Sequence, residues 1–286
     1  MKLINPKVEE WHCGYTLPEI WSHIAKCCRV CYQSEPRSNG ETDEEFVKRV
    51  ILRGHSFEEI AKSRELQLKL HNSVLEHGTV YLDIPCEERN TETIIFFGHN
   101  HYSKREYNYD SHCFVTTNMR VIIENGLMNI LKYLCAPTKY HHLRTTFNII
   151  TDIGVARELA RHRTHSISEE STRFVDYSKE KHGGELTFIK PEWFDDADVY
   201  TRNVFTATCE QAEWDYVKLF KEGWTPQQAR QVLPLSTKVQ TIHTAFNDDW
   251  EEFIKLRADA CSGSVHPNMK VIADSIKNLM SKANAE

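Results

Sequence analysis

Residues 161–173 read Arg-His-Arg-Thr-His-Ser-Ile-Ser-Glu-Glu-Ser-Thr-Arg. The guanidinium groups of Arg161, Arg163 and Arg173 stand among several hydroxyls and the carboxylates of Glu169 and Glu170. A guanidinium is a planar fork that meets phosphate oxygens with two parallel hydrogen bonds. Serine and threonine hydroxyls add donors to the same oxygens. Carboxylates accept from ribose hydroxyls or from ring N–H groups. The composition describes a nucleotide cradle. It also describes a solvated basic helix end, which the helix dipole favours. Residue types alone leave both open.

Two further groups invite a chemical reading. Ser171 has the form of a nucleophile, but no neighbouring His–Asp pair exists to activate it, so binding is its expected role. Cys28-x-x-Cys31 has the spacing of half a zinc site. No second Cys-x-x-Cys and no His-x3-His follows, and the alternative is small side chains buried on a helix. The nine cysteines are odd in number and the chain is long, which argues against a secreted disulfide framework.

These residues need elements to hold them. Residues 17–31 put Ile20, Ile24, Cys27, Cys28 and Cys31 on one helical stripe. The polar stretch 33–44 predicts a loop, with Thr42 or Asp43 capping a helix that turns Phe46, Val47, Val50 and Ile51 inward. Helix is expected over 57–70. Alternation of Val80, Leu82 and Ile84 predicts a strand over 78–84. Residues 85–112 are expected to be loops around one buried run, Thr93–Phe97. A strand or turn then a helix is expected over 114–134, a strand over 145–152, and a short helix from Val155 into the basic cluster at Arg163. Another strand is expected over 186–190. A long helix over about 195–222 should stop at Gly223, with Thr225 capping and Pro226 opening the next. The last helices are expected over 248–258 and 267–282. The result is one α+β domain, a small antiparallel sheet flanked by helices, with a helical C-terminal half.

The chain has 286 residues, 40% hydrophobic and 27% charged, with formal charge −6. That balance is globular. Its sign means that an anion site must be a local basic patch rather than a general field. No apolar run of membrane length and no signal-type N-terminus is present, so the cytosol is the expected compartment.

Spacing separates the two readings of 161–173. Arg161-His162-Arg163 followed after seven residues by Ser171 resembles the signature of the flavin-dependent thymidylate synthases. The wider run Ser166, Glu169, Ser171 and Arg173 matches as well. His71-Asn72-Ser73-Val74-Leu75-Glu76-His77, Ala229-Arg230-Gln231-Val232-Leu233-Pro234 and Phe253-Ile254-Lys255-Leu256-Arg257 resemble three more family blocks, in the family's order. Residues 86–146 resemble the insert of a long-form branch.

The resemblance implies reductive methylation of dUMP to dTMP. Methylenetetrahydrofolate supplies the carbon, and FAD carries a hydride from NADPH. It also implies a homotetramer with shared sites. By the same resemblance Glu158, Arg161, Glu169, Glu170, Ser171, Thr172, Arg173, Arg230 and Arg257 face dUMP, with Arg230 arriving from a neighbouring subunit. His71, Ser73, Arg161, His162, Arg163, Glu169 and Asn247 face FAD. Arg257 is the catalytic residue. A fixed guanidinium beside uracil N3 favours its ionised form and enriches C5, the carbon that must attack. Cations near the pyrimidine edge of the flavin stabilise its reduced anion.

Taken singly, His71 and His77 also read as structural histidines, and Arg230 and Arg257 as helix-surface residues. Two positions depart from the pattern. Asp248 stands where an arginine helps hold FAD, and Glu158 replaces a glutamine. Lys104, Arg105 or Arg120 of the insert are the expected substitutes. A related dUMP and flavin enzyme with another one-carbon product, or an NADPH oxidase, stays open. So does a nucleic-acid-binding protein, against which the negative charge counts.

Overall fold

The chain lays down β1 (Lys2–Ile4) and β2 (Lys7–Trp11) before its first helix, α1 (Leu17–Tyr32). The helices α2 (Asp43–Val50), α3 (Phe57–Lys62) and α4 (Arg64–Lys69) follow. Next come β3 (Thr79–Pro85), α5 (Glu92–His99), β4 (Lys104–Tyr107), β5 (His112–Asn118) and α6 (Met119–Glu124). The centre holds β6 (Arg144–Asp152), α7 (Ile153–Leu159), β7 (Ser166–Glu169) and β8 (Thr187–Ile189). The last elements are α8 (Val199–Lys221), α9 (Pro226–Ala229), β9 (Lys238–Phe246), α10 (Asn247–Arg257) and α11 (Pro267–Ala283). The computed structural model describes residues 1–32, 37, 40–85, 92–108, 112–171, 185–261 and 263–283.

An antiparallel sheet of order β2-β6-β9-β7 is the frame. A second antiparallel sheet has β5 between β3 and β4, and β1 pairs with β8 in parallel. One apolar cluster joins α1, α2, β3, β5 and α6, and touches the frame at Ile242. On the other face Phe147 and Ile149 of β6 and Ala245 of β9 pack with Trp250 and Phe253 of α10 and with Met269, Ile272 and Ile276 of α11. A third cluster ties α8 to α9 through Phe188, Cys209, Tyr216 and Ala229.

Local rules explain many boundaries. Thr42 caps α2 in a reciprocal box with Glu45. Thr225 N–H donates to Gln228 Oε1 at 2.9 Å, and Pro226 opens α9. Gly223 takes φ +92 as the chain leaves α8. Cys27 and Cys28 are fully buried on the apolar stripe of α1. Among the described residues no group of three or more His, Cys, Asp or Glu is arranged to hold a metal ion.

Several elements differ from the sequence reading. Helix over 57–70 breaks at Ser63, whose Oγ caps α4 by accepting from Leu66 N–H at 3.2 Å. The stretch expected to be loops holds α5 and β4, with Ile94 and Phe97 buried. The helix expected to reach Arg163 ends at Leu159, and residues 166–169 form an edge strand rather than a helix end. β1, β2 and β9 had no counterpart in the reading. β9 runs through the half expected to be helical, where helices otherwise dominate. Among the described residues no helix is long and apolar enough to cross a membrane.

Candidate active site

Asp152 ends β6 and caps α7, its Oδ1 accepting from Val155 N–H at 2.7 Å. That cap fixes where α7 leaves the sheet, and so aims Glu158. After α7 the chain turns through Arg161-His162-Arg163 and enters β7, which pairs with β9 from Ser166↔Thr244 to Glu169↔Thr241. The 161–171 run is therefore pinned at both ends by the frame.

Three predicted residues meet. Arg257, at the end of α10, donates from Nη1 to Glu158 Oε2 at 3.1 Å and from Nε to His162 Nε2 at 3.2 Å. These partners lie 99 and 95 positions away in sequence. The bond to His162 requires a neutral ring with its proton on Nδ1. Burial, then Arg257 and Arg161, push the His162 imidazole down to about 4, which agrees. Its ring meets Phe253 edge-on at 4.8 Å.

Glu169 and Arg230 share a second place. They line a cavity of about 370 Å³ with Arg157, Gln231, Leu233 and Pro234. Loss of solvation, then the adjacent Glu170, push the Glu169 carboxyl up, and Arg157 opposes them. Arg230 and Glu169 of one chain thus line the same cavity. Arg163 lies at a third place, a basic cavity of about 420 Å³ with His101, Tyr102, Lys104, Arg144, Thr164, Ser166 and Asp249.

The remaining predicted residues are dispersed. Glu170 is buried, and its Oε2 accepts from Lys238 Nζ at 2.6 Å and from Gln240 N–H at 3.2 Å. A ligand would have to displace those donors. Arg161 is exposed, and Ser171 is half-buried just past β7. His71 and Ser73 are exposed near the turn Asn72–His77, which packs against β7. Neither lines either of these two cavities. Asn247 accepts from Thr145 Oγ1 at 2.8 Å. Thr172 and Arg173 lie outside the described residues. Of the insert cations, Lys104 pairs with Asp248 at 2.7 Å. Arg105 donates to Ile94 O, and Arg120 is engaged by Glu76 and Glu124.

Arg144 was missed. It heads β6, within the run His141-His142-Leu143-Arg144-Thr145-Thr146, and only its place beside a predicted strand marked it. Also missed was a bank of buried neutral histidines under the site. His77 Nδ1 bonds Thr244 Oγ1 at 2.8 Å, and Thr244 Oγ1 bonds Thr146 Oγ1 at 2.7 Å. His165 and His243 approach Nδ1 to Nδ1 at 3.4 Å. His77 is therefore a structural histidine.

Burial holds His77 and His243 well below the usual imidazole range and His165 down at about 3. The unfolded chain takes up these protons near pH 6.5, and the folded one does so only far below. Stability is therefore full above pH 6.5 and falls as the pH drops from there toward 3. Urea unfolding at pH 7, 6 and 5 is expected to show this decline. His77→Gln is expected to flatten it by about one proton, since glutamine does not titrate in that range. An unchanged slope in the variant would remove His77 from the account.

The protein is of the α+β class, with an antiparallel sheet frame that pins arginines, carboxylates and a histidine around polar cavities. The family model described as thymidylate synthase complementing protein matches residues 88–284, and the chain belongs to that family. The match takes in most of the stretch expected to be an insert, and begins after His71–His77. The chain is 29% identical over 130 residues to a flavin-dependent thymidylate synthase of Kosmotoga olearia, covering 42% of this chain and 56% of that one. It is 28% identical over 146 residues to a Thermosipho melanesiensis protein of the same name, covering 46% and 63%. A third of that name, from Pyrobaculum aerophilum, is 38% identical over 82 residues, 29% of this chain and 28% of that one. The chain thus spans 56% and 63% of the length of the first two relatives.

Proposed function

We propose that this chain methylates dUMP reductively to dTMP, with methylenetetrahydrofolate as carbon donor, FAD as hydride carrier and NADPH as reductant. The observation that carries the reading is the convergence of Arg257 on Glu158 and His162 from far apart in sequence. A side-by-side guanidinium, carboxylate and neutral imidazole suit a ring with both N–H and carbonyl edges.

In this reading the nucleotide occupies the cavity of Arg230 and Glu169. The Arg230 fork takes phosphate oxygens, with Ser171 and Arg173 as further donors, and Glu169 accepts from a hydroxyl. Arg257 lies against uracil N3 and favours its ionised form. Glu158 holds the guanidinium in one orientation and moderates its charge. His162, kept neutral, accepts rather than repels. The basic cavity at Arg163 offers donors for an anionic cofactor, which fits FAD. FAD, when bound, supplies the hydride that it receives from NADPH. The working form is a cytosolic homotetramer.

Purified protein loaded with FAD is expected to be yellow and to bleach with NADPH. With dUMP and methylenetetrahydrofolate under anaerobic conditions, mass analysis is expected to find dTMP. Protein that cannot be loaded with FAD, or a reduced protein that makes no dTMP, would overturn the proposal.

A further inference from the structure

The cavity beside Arg163 contains a cation whose charge the protein leaves unanswered. Arg144 is half-buried where β6 begins, at the wall of the cavity. Its Nη1 donates to the backbone oxygen of Glu76 at 3.1 Å and to Thr79 Oγ1 at 3.3 Å. Its Nη2 donates to Ser166 Oγ at 3.3 Å. All three acceptors are neutral. Among the described residues Nε is buried with no partner and no carboxylate lies within ion-pair distance. Burial works against its charged form. A half-buried cation with neutral partners is costly to the extent that neutral dipoles replace only part of its hydration. These bonds leave one Nη2 hydrogen, and an oxyanion there supplies the missing counter-charge.

The surroundings suit such an anion. Lys104 and Arg163 line the same cavity, and Thr164 and Ser166 add hydroxyls. The acids nearby cancel only part of this charge. Asp248 is taken up by Lys104 at 2.7 Å. Burial raises the Asp249 carboxyl, which also bonds Thr164. Phe246 forms an apolar floor beneath two of the cations, 4.5 Å from Lys104 Nζ and 5.5 Å from the Arg144 guanidinium carbon. A cavity of about 420 Å³ is larger than a lone phosphate needs, and it accepts a phosphate with part of the group attached to it.

We infer that Arg144 is the anion-binding centre of this cavity and, with Lys104 and Arg163, holds the diphosphate of FAD. The inference rests on the flavin reading above. It also explains how a chain with Asp248 at an expected arginine position retains a cationic site. Lys104 of β4 neutralises the aspartate, and Arg144 of β6 supplies the free charge.

The test compares FAD with riboflavin, which has the same ring and no phosphate, by flavin fluorescence titration. The wild-type chain is expected to prefer FAD. Arg144→Met is expected to weaken FAD binding about ten- to hundredfold while riboflavin binding changes less than about twofold, as for loss of a charged hydrogen bond to one ligand only. Arg144→Lys is expected to fall between the two. Lys104→Met, at the rim, is expected to weaken FAD binding severalfold and decides the matter if Arg144→Met does not fold. Inorganic pyrophosphate alone is expected to raise the melting temperature of the wild-type chain and not of Arg144→Met. FAD binding unchanged in both Arg144→Met and Lys104→Met overturns this inference and leaves the flavin reading standing. A chain that binds neither flavin, yet is stabilised by pyrophosphate through Arg144, overturns the flavin reading and keeps the anion site. Absence of both effects removes both.

Discussion

Replacing Arg257 by alanine is expected to lower kcat/KM for dUMP by about 10²- to 10³-fold, the usual cost of deleting one fixed charge that faces the reacting group. The loss should fall on kcat more than on KM, because Arg257 favours the ionised uracil rather than ground-state binding. Its side chain is about one-fifth exposed and ends α10, so the variant should fold. Arg257→Lys is the sharper case. A lysine keeps the charge but cannot donate to Glu158 and His162 at once with the geometry of a fork. It should recover less than about a tenth of the lost rate. FAD affinity should be unchanged in both variants, since Arg257 does not line the basic cavity. Steady-state rates with dUMP, taken beside flavin titrations, decide it. An alanine variant that kept a tenth of the wild-type kcat/KM would take Arg257 out of the chemistry.

The second large effect concerns Trp250. Its ring is fully buried, edge-on to Phe147 at 4.9 Å and to Phe253 at 5.5 Å, and tilted on His165 at 4.2 Å. Its Nε1–H donates to the Thr145 oxygen at 3.0 Å. Trp250→Ala removes the largest plug between β6 and α10 and orphans that carbonyl. The expected cost is about 3–5 kcal/mol of unfolding free energy, measured by urea unfolding with the m value unchanged. Trp250→Phe keeps most of the volume and should cost about half as much. α10 carries Arg257 at its far end, so the alanine variant should also lose activity, in this case with a lowered melting temperature. A loss below about 1 kcal/mol would mean that the site collapses around the gap.

Legibility in the sequence followed the physics of each segment. The cap at Thr42, the Pro226 start and the stripe of α1 were readable because local rules govern them. β9 was not. Its residues Lys-Val-Gln-Thr-Ile-His-Thr-Ala-Phe are mostly buried on both faces, and Thr244 among them bonds Thr146 on the neighbouring strand and His77 of the turn beneath. Burial by hydrogen bonding leaves no apolar alternation to find. The apolar run of α5 was visible but too short to separate a helix from a buried loop, and β4 is a half-exposed, charged strand with no apolar alternation. For the site, types and spacing led to the 161–171 run, and the resemblance led to Arg257. Arg144 carries its meaning through what it lacks, and a missing counter-charge is visible only in three dimensions.

β9 is the last strand in the chain and an inner one in the frame. During synthesis β2 can pair with β6 early, but β7 has no sheet neighbour until residues 241–244 have emerged. The Glu169 end of the site therefore stays an open strand edge for about 70 residues of elongation, several seconds at ordinary ribosomal speeds. Closure then depends on pairings across about 75 to 100 positions, which is slow compared with local helix formation. Yield of native protein should hence be governed by how long the nascent chain is shielded, and co-expressed holding chaperones should raise it more than slower induction does.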